Sequence, residues 1–567
     1  MPKFVTNEWR SISILIATGV LAMAPAIVSG IPSSNDQTPH YRMALSFYDS
    51  LSEGNLYPGW NARSTNGYGD VSFRFYPPLV YYLLSGCRVL TGNWYDASLL
   101  FFALVSIGGG LGVYFWARTL LPSNQAMWAG IFFLIAPYHV NQIYQAFLLA
   151  EYTGASILPF AFAFTELVCR RGRARDILGL SISYALLILT HVPLTVIGSI
   201  ALLGYAVLRM RGSKVYRTML RLGVAVVLAL SASALYWVTM IAEFRWMAGN
   251  TIDSGMWFDY RYNFLFWRTV EGSTMWWANI LAVGMLMMFL PGLALKRSWQ
   301  GKASTNGLKA VGLLTVFTFM MALPVSEPLW RLFPPLQRIE FPWRWLAIAS
   351  MTGSVLLASS TEYWLSLART KARPLVFLAA GCIIVPFGLT LSQTIRGATY
   401  IPRLKFESMV SRVVESNSLP FFLPMWASKD ARPMPHEVEA GSRTVTIDSW
   451  EAERRIFNVS SGETTEARVR TFYYPYWTAV AGTKPLPVSW DTDGAILISL
   501  PEDAVSVTLE FREPVRRRLS ILTSAIVSGF VVCGLILLSF KRNRERVSDS
   551  NEIADTPPSV GNRNANA

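Results

Sequence analysis

"SISILIATGVLAMAPAIVSGIPSSNDQTPHYR", residues 11–42, opens with an apolar run and turns abruptly to Asp36, His40 and Arg42. An apolar stretch of about 20 residues is what a helix needs to cross the roughly 30 Å hydrocarbon layer of a bilayer. Lys3 and Arg10 precede this run, which is longer than the apolar core of a secretory signal, so it reads as an uncleaved first helix. The charged groups that follow then lie at a membrane surface.

The rest of the chain repeats the pattern. Of its 567 residues 52% are hydrophobic and 15% charged, too apolar for an ordinary soluble protein and long enough for many spans. Apolar stretches at 11–31, 97–121, 125–137, 153–169, 177–191, 193–208, 222–241, 276–295, 310–325, 345–365, 374–392 and 519–540 predict an α-helical polytopic membrane protein of about twelve transmembrane helices.

A net charge of +14 would suit a nucleic-acid binder if it formed one patch. Instead it gathers between spans, in "CRRGRARD" (169–176), "RMRGSKVYRTMLR" (209–221), "KRSWQGK" (296–302), "RTKAR" (369–373) and "KRNRER" (541–546). If the spans alternate, all five runs fall on one side. The positive-inside rule makes that side the cytoplasm, with both termini there and no nucleic-acid partner. Cys87, Cys169, Cys382 and Cys533 are scattered in or beside apolar spans with no CxxC, so they read as packing residues rather than a disulfide framework or a zinc site.

The opposite side carries the long connections: a first loop at 32–96, segments near 138–152, 242–275 and 326–344, and an insert at 393–518. Within the insert, "RTVTIDSW" (443–450), "ARVRTFYY" (467–474), "AILISL" (495–500) and "VSVTLEF" (505–511) alternate in strand fashion between turn signals. The division that follows is a transmembrane domain at 1–392, an outer-face β-sandwich at 393–518, a last helix at 519–540 and a disordered polar tail at 541–567. Recognition needs side chains beyond a lipid-facing helix, so function belongs on the outer face.

Four stretches there carry candidate chemistry. Asp36 and His40 are four apart and share a face if the chain is helical, with Arg42 nearby. An acid, an imidazole and a guanidinium at an apolar boundary can bind a phosphate-bearing lipid and accept a proton, and a solvated amphipathic helix has the same pattern. "GYGDVSFRFYPPLVYYLL" (67–84) supplies Asp70 and aromatics including Tyr76, which suit a membrane interface and also a sugar or isoprenoid surface. In "APYHVNQIYQAFLLAEYTGASILPF" (136–160), Glu151 opens a span in apolar surroundings and needs a partner or a purpose. His139 reads equally as an interfacial ring, and His191, at the outer end of the fifth span in "LILTHVPL", reads more as a hydrogen-bonded packing residue than as a site residue. "EPLWRLFPPLQRIEFPWRWLAIAS" (327–350) crowds Arg331, Arg338, Glu340 and Arg344 beside a span, for an anionic headgroup or for pairing of Arg338 or Arg344 with Glu340.

Asp36 with Pro39-His40, "GNLYPGW" (54–60, containing Trp60), "GYGD...FRFYPPL", Glu151 in "LLAEY", "THVPL" (190–194), "RIEFPWRWL" (338–346) and "YYPYWTAVAGTKPLPV" (473–488) resemble the bacterial and archaeal 6-pyruvoyl-tetrahydropterin synthase-related multispanning proteins. These in turn resemble the GT-C glycosyltransferases, and the late β segment is similar to the outer domain of YfhO-type membrane proteins. The histidines form no pterin-synthase zinc arrangement. The resemblance implies a GT-C-like fold in a bacterial inner membrane, a polyprenyl-phosphate-sugar donor and a glycan or lipid acceptor. By resemblance Asp36 takes the acidic role beside the acceptor or a divalent metal, Mg or Mn. Many GT-C members have two adjacent acids there. Here Gln37 follows Asp36, which leaves metal dependence open, with Glu151 or Asp70 as candidate second acids.

The reading is an inverting sugar transfer with Asp36, His40 and Glu151 as catalytic residues. Arg42, Trp60, Asp70, Tyr76, His191, Arg338, Glu340 and Arg344 are its substrate-binding residues. A non-catalytic binder or transporter of lipid-linked glycans is the alternative, and it would place polar groups at mid-span rather than at one face. A structural envelope protein would leave the Asp36 cluster without a role.

Overall fold

Each of the twelve expected spans falls on a helix in the computed structural model, which describes residues 3–34, 36–210, 215–248, 255–267, 275–294, 305–413 and 422–554. Seven of the described helices are long and apolar enough to cross a membrane, and Thr305–Met321 with Pro324–Leu332, bent by 90°, would make an eighth. Others, such as Ser123–Leu134 and Ala174–Ile188, are shorter. The break after Leu134 has a local cause: Pro137 cannot continue the helix, and the chain restarts as Pro137–Tyr144.

The bundle packs around Trp94–Arg118, which lies against Ser123–Leu134 and Leu149–Arg170. Small residues allow the approach. A methyl group at Gly109 would sit 2.7 Å from Ser156 Oγ and 2.8 Å from Phe133, so the glycine is what lets the helices close. The last helix, Val515–Ala554, continues past the expected end at 540, where the sequence suggested a disordered tail. Lys, Arg and Glu there are good helix formers and no proline intervenes before Pro557. Residues 555–567 of that tail lie outside the described residues.

The insert is the expected β-sandwich. One antiparallel sheet runs Val438–Glu439, Glu466–Phe472, Ala495–Ser499, Val488–Trp490, and the other Val445–Trp450, Arg454–Val459, Val505–Phe511, Trp477–Ala481, Lys484–Leu486. Phe457, Val469, Ile496 and Val507 are among the buried residues of the core between them. All four expected strands are present. The additional ones are short or broken by charges such as Arg454 and Arg455, which masks their alternation.

The first long loop, residues 32–96, is part of this second core. Trp60 is fully buried against Trp477, Phe511 and Tyr474, and Tyr68 stacks on Phe472 at 4.7 Å. Gly69, at φ +80°, leaves the room that Trp60 fills; a Cβ there would lie 2.1 Å from the indole nitrogen. Beneath Trp60, Arg74 is completely buried. Its Nε and Nη2 donate to Glu243 at 2.5 and 2.8 Å, and its Nη1 and Nη2 to Glu513 at 2.8 and 3.2 Å. Arg516 and Tyr474 also donate to Glu243, at 2.8 and 2.7 Å, and Arg517 pairs with Glu513. This network joins the first loop, the helix Ala234–Glu243, the sandwich and the last helix.

Burial alone would raise the Glu243 carboxyl, but the hydrogen bonds and charge of Arg74, with Arg516 and Tyr474, outweigh it and bring it down to about 2. Its folded value lies below the ordinary one, so the junction contributes fully above pH 4.5 and is lost as pH falls toward 2. Removing one partner strands the others in a dry site. Arg74→Met is expected to cost about 3–5 kcal/mol, read as a fall in Tm and faster proteolytic release of the sandwich from the bundle. An unchanged Tm would show that the network does not hold the two parts together.

Candidate functional site

At one end of the bundle, a short helix, a 3-10 turn and a helix start bring polar and charged side chains together. Glu151 sits in the first turn of Leu149–Arg170 and is 1% exposed. Tyr138 and Gln142, one turn apart on Pro137–Tyr144, donate to its Oε1 at 2.5 and 3.0 Å. Arg344, on the 3-10 turn Pro342–Trp345, donates from Nε to its Oε2 at 3.2 Å. The guanidinium is steadied by Nη1 on the Ile339 carbonyl at 2.5 Å and lies 4.7 Å from the centre of the Phe341 ring. Its Nη2 has no hydrogen-bond partner among the described residues.

Asp36 lies within the electrostatic reach of this pair. The charges of both Arg344 and Glu151 act on its carboxyl, which burial pushes up to about 6, with Arg344 opposing the rise and Glu151 adding to it. Its position follows from the chain before and after it. Ile31–Ser33 pairs antiparallel with Thr399–Ile401, and Gly30, at φ +115°, passes so close that a Cβ would lie 2.3 Å from the Ile401 carbonyl oxygen. Asp36 then precedes the helix Gln37–Ser52 without capping it by its side chain, so the carboxylate is left to the site. The expected helix with Asp36 and His40 one turn apart is therefore present.

His40 is buried, with Nδ1 3.2 Å from the Tyr81 hydroxyl, and burial lowers its pKa to about 4, so the ring is neutral near pH 7. The charges of Asp36, Glu151 and Arg344 all act on Tyr76, which stands 6.0 Å from His40, ring centre to ring centre. His191 precedes Val192–Arg209 and accepts from the Leu194 amide at 3.2 Å; Arg344 and His40 act on it electrostatically. Glu340, in the left-handed region at φ 68°, is raised by burial against the pull of Arg344.

Other expected residues go elsewhere. Asp70 acts on Arg42 electrostatically inside the first loop, where Asp70 accepts from the Ser72 amide at 2.8 Å. Trp60 belongs to the sandwich core, and Arg338 is exposed. The pairing of Arg344 with Glu340 gives way to Glu151, because the turn at 342–345 directs the guanidinium into the bundle. Tyr138 and Gln142 were not singled out in the sequence. Their spacing of four ahead of a buried acid was the available signal. His139, on the same helix, is held between Phe133 and Tyr152 at 4.2 and 4.7 Å.

The donor set does not fit a divalent cation. Both Glu151 oxygens are engaged and a guanidinium faces the two acids, and no three His, Cys, Asp or Glu side chains gather as a metal site among the described residues.

Residues 73–396 match the model of the 6-pyruvoyl-tetrahydropterin synthase related domain, described as a membrane protein. The chain belongs to this family. The matched domain holds Glu151 and Arg344, whereas Asp36, His40 and the β-sandwich lie outside it. Among solved structures the chain is similar to the apo oligosaccharyltransferase of Archaeoglobus fulgidus, at 12% identity and a TM-score of 0.46 over 71% of this chain and 57% of that one. It is also similar to ArnT from Cupriavidus metallidurans bound to undecaprenyl phosphate, at 14% identity and a TM-score of 0.44 over 71% and 68%. A third is the arabinofuranosyltransferase AftD from Mycobacteria, at 16% identity and a TM-score of 0.42 over 70% and 28%. The chain thus spans little more than half of the oligosaccharyltransferase. No curated protein matches it.

The close approach at Gly30 makes a test of how Asp36 is aimed. Gly30→Ala must part the ribbon at Ile31–Ile401, and positive φ adds strain, so about 1–3 kcal/mol of stability should be lost. Cysteine pairs bridging residues 31 and 401 should crosslink in the parent and not in the variant. Equal crosslinking would mean that the ribbon tolerates the methyl group.

Proposed function

We propose that this family member is a membrane glycosyltransferase that moves a sugar from a polyprenyl-phosphate donor to a lipid or glycan acceptor. Its site would face the outer side of a bacterial inner membrane. The observation that carries the reading is a carboxyl that burial brings up to about 6 within the field of a guanidinium whose Nη2 has no hydrogen-bond partner among the described residues. A base is most effective with a pKa near the working pH, and a departing phosphate needs a fixed cation.

In the proposed step the acceptor hydroxyl oxygen attacks C1 of the sugar as the bond from C1 to the phosphate oxygen breaks, inverting C1. Asp36 takes the hydroxyl proton. The bond electrons leave with the polyprenyl phosphate, whose charge is met by Nη2 of Arg344, with Arg338 at the rim as a second guanidinium. Glu151 holds Arg344 in place through the Nε hydrogen bond, and neutral His40, with Tyr76, His191 and Glu340, shapes the acceptor side. The sandwich, packed on the first loop, helps hold the acceptor.

The test is transfer of radiolabelled sugar from a panel of polyprenyl-phosphate donors by the purified protein in lipid nanodiscs, with and without EDTA. Asp36→Asn should retain its fold and lose about 10²–10⁴-fold in rate. Because the raised Asp36 must be ionised to act, wild-type transfer should fall as pH drops below about 6. The residual activity of the variant should lack that limb. Undiminished transfer by Asp36→Asn would remove the carboxylate from the mechanism. Equal donor binding by both proteins without turnover would favour a binder or transporter of lipid-linked glycans. Loss of activity in EDTA would require a metal-dependent scheme.

A further inference from the structure

The helix that carries Glu151 in its first turn ends, 19 residues later, at Arg170. At 1.5 Å per residue that is about 28 Å, close to the hydrocarbon thickness of a bilayer. At this far end, between Lys3–Leu21, Trp94–Arg118 and Leu149–Arg170, lies a cavity of about 590 Å³. Ile12, Phe115 and Leu167 give it an apolar lining beside Tyr114 and Thr119, and Arg118, Arg170 and Arg171 line it against the single acid Glu8.

The three guanidiniums are not equivalent. Arg171 is held by Asp176 through two hydrogen bonds of 2.9 Å, and Arg118 lies 3.1 Å from Glu8, an exposed acid. Arg170 donates to the Thr119 carbonyl at 2.7 Å and has no carboxylate partner among the described residues. The lining therefore holds an excess of positive charge beside an apolar recess, at the depth of the leaflet opposite the Glu151 site. Phosphate oxygens are the natural complement of guanidinium forks, and acyl chains of an apolar recess. A basic pocket between membrane helices on the positively charged face is the setting in which anionic headgroups are bound.

We propose that this cavity binds the phosphate of an anionic glycerophospholipid from the leaflet opposite the Glu151 site, with Arg170 and Arg118 on the phosphate and an acyl chain along Ile12, Phe115 and Leu167. The inference is independent of the transferase reading, since none of these residues touches the Glu151 site.

Native mass spectrometry of the full chain, released from nanodiscs containing phosphatidylglycerol or phosphatidylcholine, tests it by counting retained lipid. Wild type should retain one more phosphatidylglycerol than the double variant Arg118→Gln/Arg170→Gln, whose affinity should fall about thirtyfold at low salt. Leu167→Trp, which fills the recess and leaves every charge in place, should lose the same lipid, and Arg170→Lys should keep part of it. Retained phosphatidylcholine should not change. Equal phosphatidylglycerol retention by wild type, the double variant and Leu167→Trp would overturn the proposal. So would displacement of the lipid by millimolar inorganic phosphate, which would assign the guanidiniums to a free anion. If the double variant does not fold, the Leu167→Trp and phosphate arms decide.

Discussion

The arrangement of the molecule depends on one buried arginine. Arg74 has no exposure, and moving a guanidinium out of water is costly unless every donor is met and its charge balanced. Glu243 and Glu513 take four hydrogen bonds from its three nitrogens and balance its charge, and they come from the helix Ala234–Glu243 and from the link into the last helix. The network therefore ties three distant parts of the chain to one point, and the ring centres of Tyr474, Tyr476 and Phe511 lie 5.6, 5.1 and 5.5 Å from the Arg74 guanidinium. Few alternative dockings of the sandwich could satisfy the same charges, which is how a polar junction supplies orientation where an apolar one would allow sliding.

Glu151 and Arg344 use the same chemistry differently. At Arg74, Nε, Nη1 and Nη2 are all engaged, and the site is complete in itself. At Arg344, Nε and Nη1 are engaged and Nη2 has no partner among the described residues, while a second carboxyl, Asp36, lies within the electrostatic reach of the pair. A closed network resists change; an open one can respond to a ligand. The extra acid raises the stakes, because two carboxylates near one guanidinium cannot both be fully balanced, and burial then brings the Asp36 carboxyl up to about 6.

Much of this was legible in the linear chain. The helices follow from apolar stretches of bilayer length, the four regular strands from their alternation, and the helical spacing of Asp36 and His40 from four-residue periodicity. Glu151 stood out because an acid in an apolar helix must be compensated. The choice of partner was not legible. Arg338 and Arg344 look alike in "RIEFPWRWL", yet the turn at 342–345 sends one inward and leaves the other in solvent. Asp70 and Arg42 carry the same chemistry as the site residues and are spent inside the loop.

By itself the sequence determined that this is a multispanning membrane protein, that its long connections alternate with short basic ones, and which acids and guanidiniums those long connections carry. Those properties depend on composition and local period, which a chain displays without folding. Only the tertiary structure decided that Arg344 meets Glu151 across 193 residues, that Arg74 meets Glu513 across 439, and that Tyr138 and Gln142 complete the acid's shell. Pairings at such separations leave no periodic trace, because they are set by which helix ends the packed bundle brings together.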